Sequence, residues 1–346
     1  MSARKTEQEV AVRHPRETPN LFGHREAETA LLAAYRSGRI PHAWLIGGAP
    51  GIGKATLVYR MARFVLTHRD PQAASVQRAE TLAVDPNNHV ARQITAGAHG
   101  GLLALERSLN DRGVMRTVIT VDETRETISF FGSTAAVDGW RVCIVDTVDE
   151  LNPNAANALL KILEEPPQRS LFLLVSHSPA RALPTILSRC RKLPLRPLAT
   201  DDVVRAASSA AGMAADDPAL AEAAEAAEGS VARALTLLGG DALKLQQRTA
   251  ALLATLPYFD PRELHALGDA LGTSDRVALA AFVDGVDRWI GEKLRAEDAN
   301  ANLPRLARLA EVWEKIVRAA RDTAEYNLER KPLVFSVFGM LAEATR

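Results

Sequence analysis

Residues 48 to 56 read Gly48-Ala-Pro-Gly-Ile-Gly53-Lys54-Ala55-Thr56, a spacing of glycines and lysine suited to holding phosphate. Glycines let backbone N–H groups curl around an anion, a helix opening at the lysine presents the positive end of its dipole, and the ammonium reaches the outer phosphates. Gly48, Gly51, Gly53 and Lys54 are therefore candidate nucleotide ligands. The residue after the lysine should carry a hydroxyl for Mg²⁺, and here it is Ala55. Thr56 follows one position later, turned about 100° around a helix of 3.6 residues per turn. It stays in the candidate set, although reaching the metal from there requires distortion. A second candidate, Asp146, ends an apolar run (141–145, RVCIV). A carboxylate at a strand tip downstream of such a loop is placed to hold the metal, usually through water. Hydrolysis also needs a side chain that orients the attacking water, and the position after Asp146 offers only Thr147. Asp149 and Glu150 lie beyond it and are expected to point elsewhere. Two changes thus strike one machinery, which reads as a degenerate nucleotide site with weak or no ATP binding and no efficient hydrolysis.

These residues need a scaffold. Short apolar runs at 43–46, 141–145 and 171–175, with a further strand candidate at 118–121, are separated by helical segments. That pattern predicts a buried parallel sheet of βαβ units. A helix is expected from 54 to about 66. After Pro194, Pro197 and Asp201–Asp202 the chain turns Ala-rich, and no strand is expected from Asp201 onward. In the last third, Val277, Ala280, Ala281 and Asp284, then Trp289, Ile290 and Leu294, mark a helical face. The predicted domains are a charged, mobile tail over 1–18, a nucleotide-fold core over 19–197, a small helical lid over 198–240, and an all-helical C-terminal domain over 241–346. Gly239–Gly240 form a plausible joint. Residues 67–115 are polar and give no clear pattern.

The bulk composition excludes several classes. The chain has 346 residues, 47% hydrophobic and 24% charged, with 42 basic and 42 acidic side chains. A zero formal charge argues against a protein whose main task is coating nucleic acid. Two cysteines, Cys143 and Cys190, make no disulfide framework and no zinc cluster. No run of about 18 or more apolar residues suggests a membrane span, and the polar N-terminus lacks the core of a signal peptide. A cytoplasmic protein with no required cofactor is expected.

The segment Asn152-Pro-Asn-Ala-Ala-Asn-Ala-Leu-Leu-Lys-Ile-Leu-Glu-Glu-Pro-Pro167 is physically a capped amphipathic helix. Asn152 suits the cap, Pro153 the first turn, Ala155, Ala158, Leu159, Ile162 and Leu163 one apolar face, and the proline pair the stop. Its wording closely resembles the ANALLKxLEEPP element of the AAA+ clamp-loader subunits of bacterial DNA polymerase III. The resemblance continues in order. Residues 171–193 resemble the sensor 1 strand, a connecting helix and the Ser-Arg-Cys motif, here Ser188-Arg189-Cys190, and Gly229-Ser-Val-Ala-Arg-Ala-Leu235 resembles the sensor 2 helix. The likeness is strong over about 20–240 and fades to length, helicity and the closing segment 327–344 beyond that.

The resemblance implies an α/β AAA+ P-loop domain, a helical lid and a helical collar that holds a hetero-oligomeric ring. Motor subunits of the gamma/tau type carry an intact loop and an Asp-Glu pair. Gly-Lys-Ala and Asp-Thr fit the delta-prime class instead, as does Ala232 where the motor's sensor 2 arginine is expected. The implied role is a component of the DNA polymerase III holoenzyme that helps gamma/tau and delta subunits load the sliding clamp onto primed DNA. Arg189 would serve as an arginine finger, given in trans to ATP on a neighbour. Some relatives carry a four-cysteine zinc module over the stretch that corresponds to 67–115. This chain has no cysteine there, so no zinc is expected, and His68, His89 and His99 are assigned to the surface. An active ATPase of the motor type, an independent DNA-binding protein and an AAA+ adaptor outside replication remain as other readings. ATP turnover, DNA binding by the isolated chain and identification of its partners would separate them.

Overall fold

The computed structural model describes residues 13–108, 116, 118–132, 139–238, 241–272, 276–296, 303–326 and 328–345. The described chain divides into two compact units between Arg233 and Ala234.

The first unit is built on five parallel strands: β1 (Ala43–Gly47), β2 (Leu102–Glu106), β3 (Arg141–Asp146), β4 (Ser170–Ser176) and β5 (Arg191–Pro194). They lie in the order β2-β3-β4-β1-β5. Its helices are α1 (Arg25–Arg36), α2 (Lys54–Thr67), α3 (Ala74–Gln77), α4 (His89–Thr95), α5 (Val121–Gly132), α6 (Pro153–Glu164), α7 (Pro184–Leu187), α8 (Thr200–Ala211), α9 (Pro218–Ala226) and α10 (Val231–Leu237), the last of which runs across the division.

Strand alternation sorts the core into two layers, because successive side chains leave a strand on opposite faces. Trp44, Ile46, Val142, Ile144, Leu171 and Leu173 pack with Leu31 and Tyr35 of α1 and Leu57, Met61 and Phe64 of α2. Ala43, Leu45, Cys143, Val145, Phe172 and Leu174 face the other way, against Phe131 of α5 and Leu159 and Leu163 of α6. All seven residues of β4 are buried, as suits a central strand covered on both faces. Each large apolar side chain withdrawn from water there contributes about 1.5–3 kcal/mol.

Three sequence expectations change. Residues 118–121 form no strand: Ile119 makes one isolated bridge to Leu151, and α5 begins at Val121. Two strands had no sequence candidate: β2, inside the stretch that gave no clear pattern, and the short β5. Residues 13–18 are not a loose tail. Pro15–Glu17 form a 3₁₀ turn, and buried Arg63 donates from Nη2 to the carbonyl oxygens of Arg16 at 2.6 Å and Pro15 at 3.4 Å. The rest of that predicted tail, 1–12, lies outside the described residues, as does the predicted Gly239–Gly240 joint.

The second unit is helical throughout its described residues: α11 (Asp241–Ala254), α12 (Pro261–Ala270), α13 (Arg276–Ala296), α14 (Leu303–Glu325) and α15 (Arg330–Thr345). Its core includes Leu253, Leu267, Phe282, Ile290, Ile316 and Phe338. The buried face of α13 matches the expected one at Ala281 and Ile290 and departs from it at Ala280 and Asp284. Ala278, Phe282, Val286 and Ile290 are buried, while Ala280 and Asp284 are exposed. The bulk of Phe282 and Val286 sets the rotation, since one apolar stripe at helical spacing must meet the neighbouring helices. No described helix is long and apolar enough to cross a membrane.

Candidate functional site

The phosphate-type loop leaves β1 at its C-terminal edge and enters α2 directly. Gly48, Gly51 and Gly53 have φ of 154°, 73° and 95°, a region that side chains other than glycine rarely adopt. At Gly48 a Cβ would lie 2.6 Å from the Leu195 carbonyl oxygen, and at Gly51 it would collide with Ser230 Oγ and lie 2.8 Å from Ala232 Cβ. Backbone geometry therefore favours glycine at all three positions, and the close approach of the chain adds to it at Gly48 and Gly51.

Lys54 is the first residue of α2 and is 3% exposed. Its Nζ donates to the carbonyl oxygens of Gly48 at 2.7 Å and Ala49 at 2.5 Å. Ala55 and Thr56 follow in the first helical turn, both half-buried. Asp146 closes β3, beside Glu106 at the end of β2 in the strand register. Lys54 and Asp146 influence each other electrostatically without a direct ion pair. Burial pushes the Lys54 ammonium down to about 8, against the pull of Asp146 and Asp149. Burial, with Glu106 adding to it, raises the Asp146 carboxyl, and Lys54 opposes the rise.

That buried lysine has a measurable consequence. Its folded pKa lies below its ordinary 10.5, so the unfolded chain binds more protons between about pH 8 and 10.5, and stability rises with pH across that window. The stability of the wild type relative to Lys54→Met is expected to increase by about 1–3 kcal/mol from pH 8 to 10.5. Urea unfolding of both proteins at three or four pH values checks this, and parallel pH profiles would contradict it.

After Asp146 comes Thr147, 3% exposed, whose buried Oγ1 has no hydrogen-bond partner. The two acids beyond it are engaged elsewhere. Asp149 accepts from Ser176 Oγ at 2.8 Å and from the backbone N–H of His177, tying this turn to the end of β4. Glu150 pairs with Arg107 at 2.9 Å. His177, beside Lys54, is held well below its usual range, at about 4, chiefly by burial. Sequence reasoning missed Glu106, His14 and Tyr59, which make a polar group close to Asp146. Tyr59 donates to Glu106 at 2.6 Å, and His14 lies 3.1 Å from its other oxygen. Only the strand register brings Glu106 there, and β2 had no clear sequence signal.

The segment around α10 closes on the loop. Ser230 Oγ donates to the Pro50 carbonyl at 3.0 Å. The N–H groups of Val231 and Ala232 donate to the Gly51 carbonyl at 2.9 and 3.3 Å. Ala232 is thus the residue turned toward the loop, while Arg233 Nη1 lies 4.0 Å from Glu228.

Arg189 stands apart from this group. β5 runs parallel to β1, with Arg191 opposite Trp44 and Pro194 opposite Gly47. Arg189 therefore precedes the N-terminal edge of the sheet, whereas the loop leaves the C-terminal edge. The three steps from Trp44 to Gly47 alone span about 10 Å. The guanidinium donates to Glu164 Oε1 at 2.6 Å, to the Thr185 carbonyl at 2.9 Å and to Ser188 Oγ at 3.2 Å. Burial raises the neighbouring Cys190 thiol to about 11, which disfavours a reactive thiolate. Glu164 ends α6, the helix marked in sequence. Asn152 Oδ1 caps it by accepting from the Ala155 N–H at 2.8 Å, and Ala155, Ala156, Leu159 and Leu163 are its buried residues. Among the histidines left without a role, His68 lies tilted against Phe64 and His99 Nδ1 accepts from the Gly101 N–H at 3.0 Å.

Five parallel strands in this order, with a glycine loop and lysine joining β1 to α2 and an aspartate closing β3, define the class: a P-loop α/β domain of the AAA+ type. Within it, the chain belongs to the family described as DNA polymerase III, delta subunit, whose model matches residues 23–199. The DNA polymerase III subunit delta' of Pseudomonas aeruginosa is 36% identical over 149 residues, 43% of this chain and 41% of that protein. The subunit delta' of Escherichia coli is 33% identical over 226 residues, 65% of this chain and 62% of that protein. The E. coli subunit tau is 29% identical over 250 residues, 70% of this chain and 36% of that protein. The matches therefore span less than two thirds of these relatives' lengths.

Proposed function

We propose that this chain acts as a delta-prime-type subunit of a DNA polymerase III clamp loader. It would sit in a hetero-oligomeric ring with gamma/tau and delta subunits, and the ring would place the sliding clamp on primed DNA. In this reading its own ATP site is degenerate, and its catalytic contribution is Arg189, offered to ATP on a neighbouring motor subunit. The C-terminal helical unit serves as the ring collar. The family match and the two delta' relatives support the assignment.

The observation that carries the trans role is the placement of Arg189. It lies before the N-terminal edge of the sheet, away from the chain's own loop at the opposite edge, which supports a reading in which the phosphate met by its guanidinium is presented by another chain. A planar, multidentate guanidinium suits the charge that builds on a transferring phosphoryl group. The donor set at the chain's own loop fits hydrolysis poorly. Ala55 brings a methyl group to the metal-ligand position, Thr147 replaces the water-activating acid, and Asp149 and Glu150 are committed to Ser176, His177 and Arg107. What the loop retains is Lys54, whose ammonium would bind phosphate when released from the Gly48 and Ala49 carbonyls.

ATP turnover by the purified chain tests the first half of this reading. The isolated protein is expected to stay at background, and Lys54→Ala is expected to leave that background unchanged. Turnover at the rate of a motor subunit, abolished by Lys54→Ala, would show that the chain hydrolyses ATP itself.

A further inference from the structure

A cleft of about 320 Å³ opens between α2, α4 and the segments near residues 17–19 and 82–86. Its lining residues from Leu82 to Ala96 lie in the stretch whose sequence gave no clear pattern, and none of the nucleotide-site residues lines it. Leu82, Val84 and Pro86 give it an apolar wall, and Arg60, Arg63 and Arg92 give it three guanidinium groups. Its size falls at the lower end of the range for small-molecule sites, which characteristically combine apolar walls with a few polar groups.

The charges on this wall do not balance. Arg60 is paired: its Nε donates to Glu28 at 2.6 Å. Arg63 is only 6% exposed, yet its guanidinium bonds only to the backbone carbonyls of Pro15 and Arg16. Neutral carbonyl oxygens accept its protons without cancelling its charge. Burial, with Arg60 nearby adding to it, holds the Arg63 pKa below its usual value. Arg92 is exposed and forms no ion pair among the described residues. The acid on the cleft wall is Glu17, itself exposed. A buried charge normally persists where something pairs with it, so the cleft lacks an anion.

We propose that this cleft is a binding site for a small oxyanion carried on a compact apolar body, held by Arg63 and Arg92 with its apolar part against Leu82, Val84 and Pro86. Guanidinium groups present planar forks of donors that match carboxylate and phosphate oxygens. The site is independent of the nucleotide loop and of the proposed trans role of Arg189.

Titration calorimetry of the full chain with phenyl phosphate and with benzoate tests the site, with phenol as the neutral control. At least one anion is expected to bind with Kd below about 1 mM, more weakly as salt is raised, and phenol is not. Tighter phenyl phosphate assigns the natural ligand to the phosphates, and tighter benzoate assigns it to the carboxylates. Arg63→Gln is expected to weaken binding about 10-fold or more and Arg92→Ala by about 3- to 10-fold. Glu17→Gln should tighten it, because a competing negative charge is removed. Arg63 also anchors residues 15 and 16, so its variant carries a risk of misfolding. Arg92 and Glu17 are exposed, and their variants keep the test valid with an unchanged thermal transition. Absence of binding by both anions at 10-fold above that Kd, equal binding of phenol, or affinities unchanged in both Arg92→Ala and Glu17→Gln would overturn the proposal.

Discussion

Glu28→Ala is expected to destabilise the P-loop unit by about 3–5 kcal/mol, the usual cost of breaking a buried ion pair from one side. The Glu28 and Arg60 side chains are only 9% and 11% exposed, and they meet at 2.6 Å. One carboxylate oxygen does two jobs, since Glu28 Oε1 also accepts from the Leu82 N–H at 2.9 Å. Arg60 in turn donates from Nη1 to the Pro19 carbonyl at 2.6 Å. The pair therefore ties together α1, α2, the segment leading into α1 and the chain near residue 82. Truncating the acid leaves a guanidinium and a backbone N–H without their acceptor where water cannot readily replace it. At about 2–4 °C per kcal/mol for a unit of this size, the thermal transition should fall by roughly 10 °C. Glu28→Leu with Arg60→Met should recover part of the loss, because paired apolar replacements remove both desolvated charges together but still leave the Leu82 N–H without its acceptor. A double-mutant cycle by urea unfolding measures this, and a loss below about 1 kcal/mol for Glu28→Ala would place the pair among ordinary surface contacts.

None of that network can be read from sequence, because Glu28, Arg60 and Leu82 are joined only by the fold. What is legible is local. The loop at 48–54 combines positive-φ glycines with a helix start. β1, β3 and β4 are short apolar runs, and α6 announces itself by Asn152, Pro153 and its spacing. β2 is harder, since Leu102–Glu106 lies at the edge of the sheet with only Leu105 buried. Its one clue is the Gly100–Gly101 pair just before a run of leucines. The misreading at 118–121 arises because β-branched residues favour strands. A competing signal was present. Thr120 and Glu123 have the spacing of a capping box, and Glu123 Oε2 accepts from the Thr120 N–H at 2.6 Å. In α13 the expected face holds at Ala281 and Ile290 and fails at Ala280 and Asp284, because the large Phe282 and Val286 set the rotation. The candidate site divides in the same way. Its loop and Asp146 lie in local motifs, whereas Glu106, His14 and Tyr59 come together only through strand register and the docking of the N-terminal segment on α2.

On the proposed reading, Arg189→Ala has the largest functional effect of any single change. Arginine fingers contribute roughly 10³–10⁵ to turnover at the site they serve. A loader carrying the variant should lose almost all turnover at one neighbour's site and show a partial fall in bulk DNA- and clamp-stimulated ATPase. Arg189→Lys should rescue little, since an ammonium cannot reproduce the planar fork. Stability should hardly move. The Arg189–Glu164 pair is substantially exposed, at 33% and 51%, and such pairs contribute about 0–1 kcal/mol. Glu164→Gln separates the two roles the pair could have. If Glu164 merely braces the fold, both variants lose the same small stability and turnover per assembled complex is normal. If Glu164 holds the guanidinium until a neighbour's phosphate competes for it, Glu164→Gln leaves turnover intact or raised while Arg189→Ala lowers it. Opposite responses of these two variants in the assembled complex, with matched thermal transitions, are the expected result. Normal clamp loading by the Arg189→Ala complex would remove the trans role.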